Sequence, residues 1–274
     1  MILPHPSDAQ FEKYYNLIAN LQRLDSIAIA FSGGVDSTFL LYAANQALQG
    51  NTVAVTAASN LFPARETHEA ENLCESLSVR QLVLHIDELT IPGLTENPPN
   101  RCYLCKKNLF RQIKKAAQSL GIVHIAEGSN LDDLCDYRPG LKAIAELGVA
   151  SPLREAELTK NDIRVLSAHF HLPTASKPSC ACLASRFAYG EAITSQKLKM
   201  VEEAEEFLRK QGFQQTRVRI HGDIARIEVL SQEIERFLSA DLRSTVTDYL
   251  KKLGFHYVAL DLQGYRTGSM NEIL

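Results

Sequence analysis

Ser26-Ile27-Ala28-Ile29-Ala30-Phe31 runs directly into Ser32-Gly33-Gly34-Val35-Asp36-Ser37-Thr38, and the fold is decided by how this stretch is read. Its first half is a short uncharged apolar run, the pattern of a strand buried on both faces. After it, Phe39, Leu40, Ala43, Ala44 and Ala47 recur at helical spacing until Gly50 stops them. The intervening glycines sit where a strand meets a helix. There they let backbone N–H groups turn inward, and the helix N-terminus adds positive potential, so the segment suits a phosphate. Ser32, Ser37 and Thr38 offer hydroxyls to such a group, and Asp36 offers a carboxylate to Mg²⁺. The Gly-Lys-Ser/Thr ending of a Walker A loop is absent. The competing reading is a glycine-rich strand-to-helix turn with no ligand.

Outward from this stretch, strand and helix patterns alternate. Thr52–Ala58, Gln81–Ile86 and Ile122–Ala126 read as strands. Pro63 opens a helix with the apolar stripe Ala70, Leu73, Cys74 and Leu77, and Lys106–Leu120 reads as another. Such alternation predicts parallel βαβ units in an α/β, doubly wound sheet, with ligands beyond the carboxyl ends of the strands. The aperiodic stretch Pro173–Gly190 marks a change. Beyond it the order becomes helix (Leu198, Val201, Ala204 and Leu208, capped by Thr194), strand Thr216–Ile220, strand Ile224–Leu230, a helical stretch Gln232–Leu253 broken near Ala240, and strand Tyr257–Leu262. The expected organisation is therefore a larger domain, 1–186, and a smaller α+β domain, 187–274.

The chain has 274 residues, 45% hydrophobic and 22% charged, which is ordinary for a globular protein able to bury a sizeable core. No run approaches the roughly 18 apolar residues of a membrane span, and residues 1–8 lack a signal-peptide pattern. A cytoplasmic protein is expected. Lys plus Arg number 29 against 32 for Asp plus Glu, a net charge of −3. Any polyanion site is therefore local, and nucleic acid and membrane are not expected partners.

Six cysteines stand at 74, 102, 105, 135, 180 and 182. Cys74, on an apolar stripe, reads as a buried small hydrophobe, and Cys135 is left open. Arg101-Cys102-Tyr103-Leu104-Cys105-Lys106 opens a helix whose dipole, with Arg101, Lys106 and Lys107, stabilises thiolates. Cys180-Ala181-Cys182 lies beside Ser185 and Arg186 in the aperiodic stretch. Two chemistries compete: a thiolate set for zinc or an Fe–S cluster, and a single nucleophilic or sulfur-donating thiolate with assisting neighbours. An acyl oxyanion formed there would need donors, which Arg186, Lys106 and loop amides can supply. On the strand Thr216–Ile220, Arg217 and Arg219 share one face. Forked donors of this kind suit a substrate phosphate; the plainer reading is a solvated face with an Arg–Glu pair. Glu202, Glu203, Glu205 and Glu206 read as a solvated helix face.

The string Ser32–Ser37 resembles the PP-loop of the N-type ATP pyrophosphatases, and Glu127-Gly128-Ser129-Asn130-Leu131-Asp132-Asp133 is similar to the Gly-Thr-x-Asn segment of ammonia-dependent NAD synthetases. That likeness implies a fold of the PP-loop type, with ATP and Mg²⁺ as cofactors. Gly128, Ser129 and Asn130 would lie near the nucleotide, and Asp133 near Mg²⁺. Lys177-Pro178-Ser179-Cys180-Ala181-Cys182-Leu183-Ala184-Ser185-Arg186-Phe187-Ala188-Tyr189-Gly190, together with 97–107 and 264–272, resembles the LarE family of ATP-dependent sulfur transferases. The resemblance implies adenylation of a carboxylate on a pyridinium dicarboxylate mononucleotide, release of AMP and pyrophosphate, and formation of a thiocarboxylate for a nickel-pincer cofactor. It also implies a homo-oligomer, with the small domain serving substrate phosphate binding and assembly.

Two versions of that chemistry are implied. In one a cysteine gives up its sulfur and becomes dehydroalanine; in the other a [4Fe–4S] cluster carries an extra sulfide. The paired cysteines favour the cluster, with Cys180, Cys182 and one of Cys102 or Cys105 as its expected ligands. Without a cluster, Cys182 is the expected donor and Cys180 the second. The alternatives are an amide-forming PP-loop ligase resembling NAD synthetase, a tRNA-thiolation or lysidine-forming enzyme, and a nucleotide-sensing or Fe–S-binding protein without turnover. The cysteine loop argues against the ligase, and the acidic charge argues against tRNA.

Overall fold

A computed structural model describes residues 5–135, 139–178, 180–266 and 268–269. Residues 1–4, Ser179 in the cysteine string, and Thr267 and residues 270–272 in the terminal string lie outside these, as does the side chain of Cys135. The chain forms two compact units. One comprises residues 1–87 and 102–180; the other comprises 88–101 and 181–274. The excursion 88–101 carries Pro92, Gly93, Pro98 and Pro99, the punctuation of a connecting segment.

The first unit is built on four parallel strands: β1 (Ile27–Ala30), β2 (Thr52–Ser59), β3 (Arg80–Ile86) and β4 (His124–Ala126). Their spatial order is β3-β2-β1-β4. Ile27 pairs with Thr52 on one side and with His124 on the other. The chain thus leaves β1 in one direction for β2 and in the other for β4, which creates a crevice at the carboxyl ends of β1 and β4.

Alternation along β1 fills two apolar layers. Ile27 and Ile29 pack with Leu17 and Leu21 of α1 (Asp8–Leu21) and with Phe39 and Leu40 of α2 (Val35–Leu48). Leu73 of α3 (Ala64–Ser76) joins that layer. On the opposite face Ala28 meets Phe110 and Ile113 of α4 (Arg101–Ser119) and Ile144 of α5 (Gly140–Glu146). Each of these side chains is nearly or wholly withdrawn from water, which contributes about 1.5–3 kcal/mol per large residue. Cys74 joins the first layer as expected, and burial pushes its thiol up to about 12.

The unit is completed by α6 (Pro152–Glu155) and α7 (Lys160–His169). A capping box starts α7: the Asp162 N–H donates to Thr159 Oγ1 at 3.1 Å, and the Asp162 carboxylate accepts the Thr159 N–H. The same carboxylate accepts Lys13 Nζ at 2.9 Å and Gln10 Nε2 at 3.0 Å from α1. Burial alone would raise its pKa, but these donors outweigh it and hold the group at about 2. Because the folded value lies below the unfolded one, the stabilisation is present above about pH 4 and is lost as pH falls toward 2. Asp162→Asn should remove about 2 kcal/mol at neutral pH and flatten that part of the acid limb. Urea unfolding followed across pH checks this.

The second unit holds β5 (Thr216–His221), β6 (Ile224–Val229) and β7 (Tyr257–Leu260), with β5 antiparallel and β7 parallel to β6. Thr194 caps α8 (Ser195–Lys210) as expected, its side chain accepting from the Lys197 N–H. The stretch expected as one broken helix is a 3₁₀ segment, Ser231–Leu238, followed by α9 (Ala240–Lys252), with Ser239 capping the latter.

Candidate active site

Gly33 leaves β1 with φ +68°, and a Cβ there would stand 3.4 Å from the backbone of Ala70 on α3. Glycine satisfies both the conformation and the close approach. Gly34 is the N-cap of α2 and carries no side chain to cap it. The first helical bond is the Thr38 N–H to the Gly34 carbonyl at 2.9 Å, so the amides of Val35, Asp36 and Ser37 precede the intrahelical ladder. Hydroxyls tighten the turn: Ser32 Oγ and Ser37 Oγ are 3.2 Å apart, and Ser37 donates to the Gly34 carbonyl at 3.2 Å. Thr38 is fully buried at the start of α2, and its Oγ1 has no hydrogen-bond partner among the described residues.

The second loop docks against this helix start. Gly128 lies so close that a Cβ would come within 3.1 Å of the Ser37 backbone nitrogen. Both ends of the Asn130 amide are used: its oxygen accepts the Asp132 N–H at 3.0 Å, forming an Asx turn, and its nitrogen donates to Asp36 Oδ1 at 3.2 Å. The turn reading and the site reading of this motif thus hold together. Glu127 braces the loop from beneath, accepting from Ser129 N, Ser129 Oγ and Ser151 Oγ at 2.7–3.1 Å. Lys106, expected beside the chemistry, has its ammonium 3.9 Å from Glu127 Oε2. Asp133 accepts the Asn130 N–H at 3.0 Å.

Sequence reasoning did not single out Lys160. Its ammonium pairs with Asp36 Oδ2, and its backbone N–H donates to Asp132 Oδ2 at 2.8 Å. One residue therefore ties both loops together. A signal was present: Lys160 occupies the first turn of α7, where the macrodipole disfavours a cation, so its place there calls for a reason.

One cleft of the first unit is lined by Ser32, Gly34, Asp36 and Lys160 at its polar end and by Phe31, Val55, Phe62 and Ile113 at its apolar end. Lys177, Pro178 and Cys180 form part of the same wall. A polar, phosphate-suited end joined to an apolar slot is the form a nucleotide requires. The Asp36 carboxylate fits a hard divalent cation shared with substrate phosphates. Among the described residues no three His, Cys, Asp or Glu side chains gather as a set able to hold a metal ion. Of the expected cluster ligands, Cys102, Cys105 and Cys180 belong to this unit and Cys182 to the other.

In the second unit Arg186 is 1% exposed. Its Nε and Nη2 bind the two Glu205 oxygens at 2.8 Å each, and Nη1 donates to the carbonyls of Ala181 and Cys182 at 2.7 and 3.0 Å. Ser185 Oγ also donates to the Cys182 carbonyl, at 2.8 Å. Arg186 and Ser185 therefore shape the backbone around Cys182. Glu205 corrects the expectation of a solvated acidic face: burial would raise its pKa, but Arg186 lowers it on balance. An acidic run at helical spacing points in several directions, and the residue facing β5 is buried because an arginine awaits it.

Arg217 and Arg219 are likewise buried rather than solvated. Arg219 Nη2 donates to Glu228 Oε2 at 2.8 Å and to Ser269 Oγ at 3.0 Å, and Nη1 donates to the Ser185 carbonyl at 2.9 Å. Glu228, wholly enclosed, also takes Arg226 Nη2 at 3.2 Å. On this face Arg219 and Arg226 share the Glu228 carboxylate, while the Arg217 guanidinium lies over the Tyr265 ring, 5.2 Å from its centroid.

A parallel sheet with reversed strand order and a glycine loop feeding an uncapped helix at the switch point define a nucleotide-binding domain of the PP-loop class. Residues 6–137 match a family model of an ATP-binding PP-loop domain. The chain belongs to the LarE family within that class. It is 39% identical over 263 residues to the pyridinium-3,5-bisthiocarboxylic acid mononucleotide synthase of Lactiplantibacillus plantarum, covering 96% of this chain and 95% of the relative. An uncharacterized Synechocystis protein is 39% identical over 262 residues, covering 96% and 98%. An uncharacterized Methanocaldococcus jannaschii protein is 28% identical over 241 residues, covering 88% and 91%. Among the described residues no helix is long and apolar enough to cross a membrane.

Proposed function

We propose that this chain is an ATP-dependent sulfur transferase that converts a carboxylate of a pyridinium dicarboxylate mononucleotide to a thiocarboxylate in nickel-pincer cofactor assembly. The observation that carries the reading is that Cys180 stands on the wall of the cleft whose polar end is the phosphate loop. The Lactiplantibacillus plantarum relative's name, a bisthiocarboxylic acid mononucleotide synthase, supports the substrate class.

The chemistry follows from leaving groups. A carboxylate resists attack by a thiolate. Attack of its oxygen on the α-phosphorus of ATP expels pyrophosphate and gives an acyl adenylate. A thiolate of the loop 180–182 then adds to the acyl carbon, and collapse of the oxyanion expels AMP, leaving a thioester to the protein. Removal of the cysteine α-proton by a base, with cleavage of the Cβ–S bond, releases the thiocarboxylate and leaves dehydroalanine. In this scheme the amides of α2 and Lys160 hold the triphosphate, and Asp36 would hold Mg²⁺, which would supply charge neutralisation for the pyrophosphate. Arg186 and Ser185 orient the loop instead of touching the reacting atoms.

The test is incubation of the full chain with ATP, Mg²⁺ and the dicarboxylate mononucleotide. AMP and pyrophosphate should form only with the acceptor present. The peptide spanning 180–182 should become lighter by the mass of hydrogen sulfide, and fragmentation should place the loss on Cys182 or Cys180. AMP formation with an unchanged peptide, and an amide product when ammonia is supplied, would sink sulfur transfer in favour of an amide ligase.

A further inference from the structure

The segment entering the cysteine loop is fixed twice within the first unit. Arg164 on α7 donates Nη1 to the Ala175 carbonyl at 2.6 Å and Nη2 to the Lys177 carbonyl at 2.9 Å. Lys177 in turn sends its ammonium to the phosphate loop and α3. Its Nζ donates to the Gly33 carbonyl at 3.0 Å and to Glu66 Oε2 at 2.8 Å, and pairs with Glu69 Oε2 at 2.7 Å. Three partners match the three N–H donors of an ammonium.

This arrangement is unlike an ordinary surface pair, whose contribution is near zero. The Lys177 side chain is 17% exposed and that of Glu66 11%. Burial opposes the ammonium's charge, yet the two carboxylates outweigh it and its pKa is raised. The accepting carbonyl belongs to Gly33, the residue whose positive φ sets the phosphate loop. Pro178 follows, and a proline confines the residue before it to extended conformations. Fixing Lys177 therefore gives the chain an anchored point three positions before Cys180, which is exposed on the cleft wall.

We propose that Lys177 is a positioning residue that ties the cysteine loop to the phosphate loop, so that a nucleotide in the cleft is registered at the Cys180 thiol. The proposal rests on the nucleotide reading of that cleft and on no step of sulfur transfer. A triphosphate seated on the α2 amides fixes Gly33, Gly33 fixes Lys177, and Lys177 holds Cys180 against the bound nucleotide. Without the tether the nucleotide still finds its amides, but Cys180 no longer follows.

The experiment measures alkylation of Cys180 by iodoacetamide in the full chain, located by peptide fragmentation, with and without the non-cleavable analogue α,β-methylene ATP and Mg²⁺. Analogue binding is followed separately by equilibrium dialysis, and every variant is compared at its own saturation. In the wild type the analogue should slow Cys180 alkylation roughly tenfold, the scale set by a hydrogen bond to a charged group. Lys177→Met should lose that protection, and Lys177→Arg should recover part of it. Glu69→Gln, at the half-exposed partner, should weaken it without threatening the fold. Protection in Lys177→Met equal to that of the wild type overturns the proposal. So does a wild type that binds the analogue yet leaves Cys180 as reactive as before, or a folded Lys177→Met that no longer binds it. A wild type that binds no analogue overturns the nucleotide reading itself, an outcome distinct from the others.

Discussion

Lys160→Met is expected to lower kcat/KM for ATP–pyrophosphate exchange by about a hundredfold, the scale on which a preorganised charged donor acts on a transition state. The ammonium sits on the Asp36 carboxylate at the polar end of the cleft, and its own backbone is locked to Asp132 of the second loop. Methionine keeps the length and helix propensity of the side chain but removes its charge. Folding stability should move little, within about 0.5 kcal/mol, because both partners are partly solvated and a cation at a helix start is unfavourable. Lys160→Arg should regain part of the exchange. Exchange kinetics alongside a urea melt check the pair of outcomes. Exchange near the wild-type rate in Lys160→Met would reduce the residue to a surface partner of Asp36.

Arg186→Ala should destabilise the second unit by about 3–5 kcal/mol, the cost of leaving a buried charge without its partner. The stranded group is Glu205, which also accepts the Val218 N–H at 3.0 Å. Glu205 has a folded pKa lowered by Arg186, so the pair's contribution is present above the ordinary carboxylate range and is lost as pH falls through it. The double variant Arg186→Met, Glu205→Leu removes both charges and should recover most of the stability. Sulfur transfer should stay impaired in that variant, because the carbonyls of Ala181 and Cys182 have lost their donor. Denaturant melts and the mass of the cysteine peptide after reaction read the two effects separately. Full recovery of transfer with stability would remove Arg186 from any positioning role.

Much of the larger unit was legible in the sequence because its signals are local. A buried strand followed by Gly-Gly and a helical stripe reads as β1, loop and α2 without reference to the rest of the chain. The capping box of α7 is equally local, yet α1 and α5–α7 stand outside the elements read from the sequence, because a short apolar stripe does not say which sheet face it covers. Glu205 shows a harder limit. Nothing in a run of glutamates tells which one turns inward until the arginine that meets it, nineteen positions away along the chain, is in place.

By itself, the sequence determined the class of fold, the phosphate loop, the second loop and the family, since each rests on neighbours within a few residues. Only the tertiary structure decided which charges pair and with which partners. Lys160 and Lys177 gained their places because distant segments bring carboxylates and carbonyls to them. Arg186 and Arg219 were drawn inward by Glu205 and Glu228. The physical reason is common to all four: a charged side chain takes its role from the partner that compensates it, and in a folded chain that partner is set by packing and not by sequence distance.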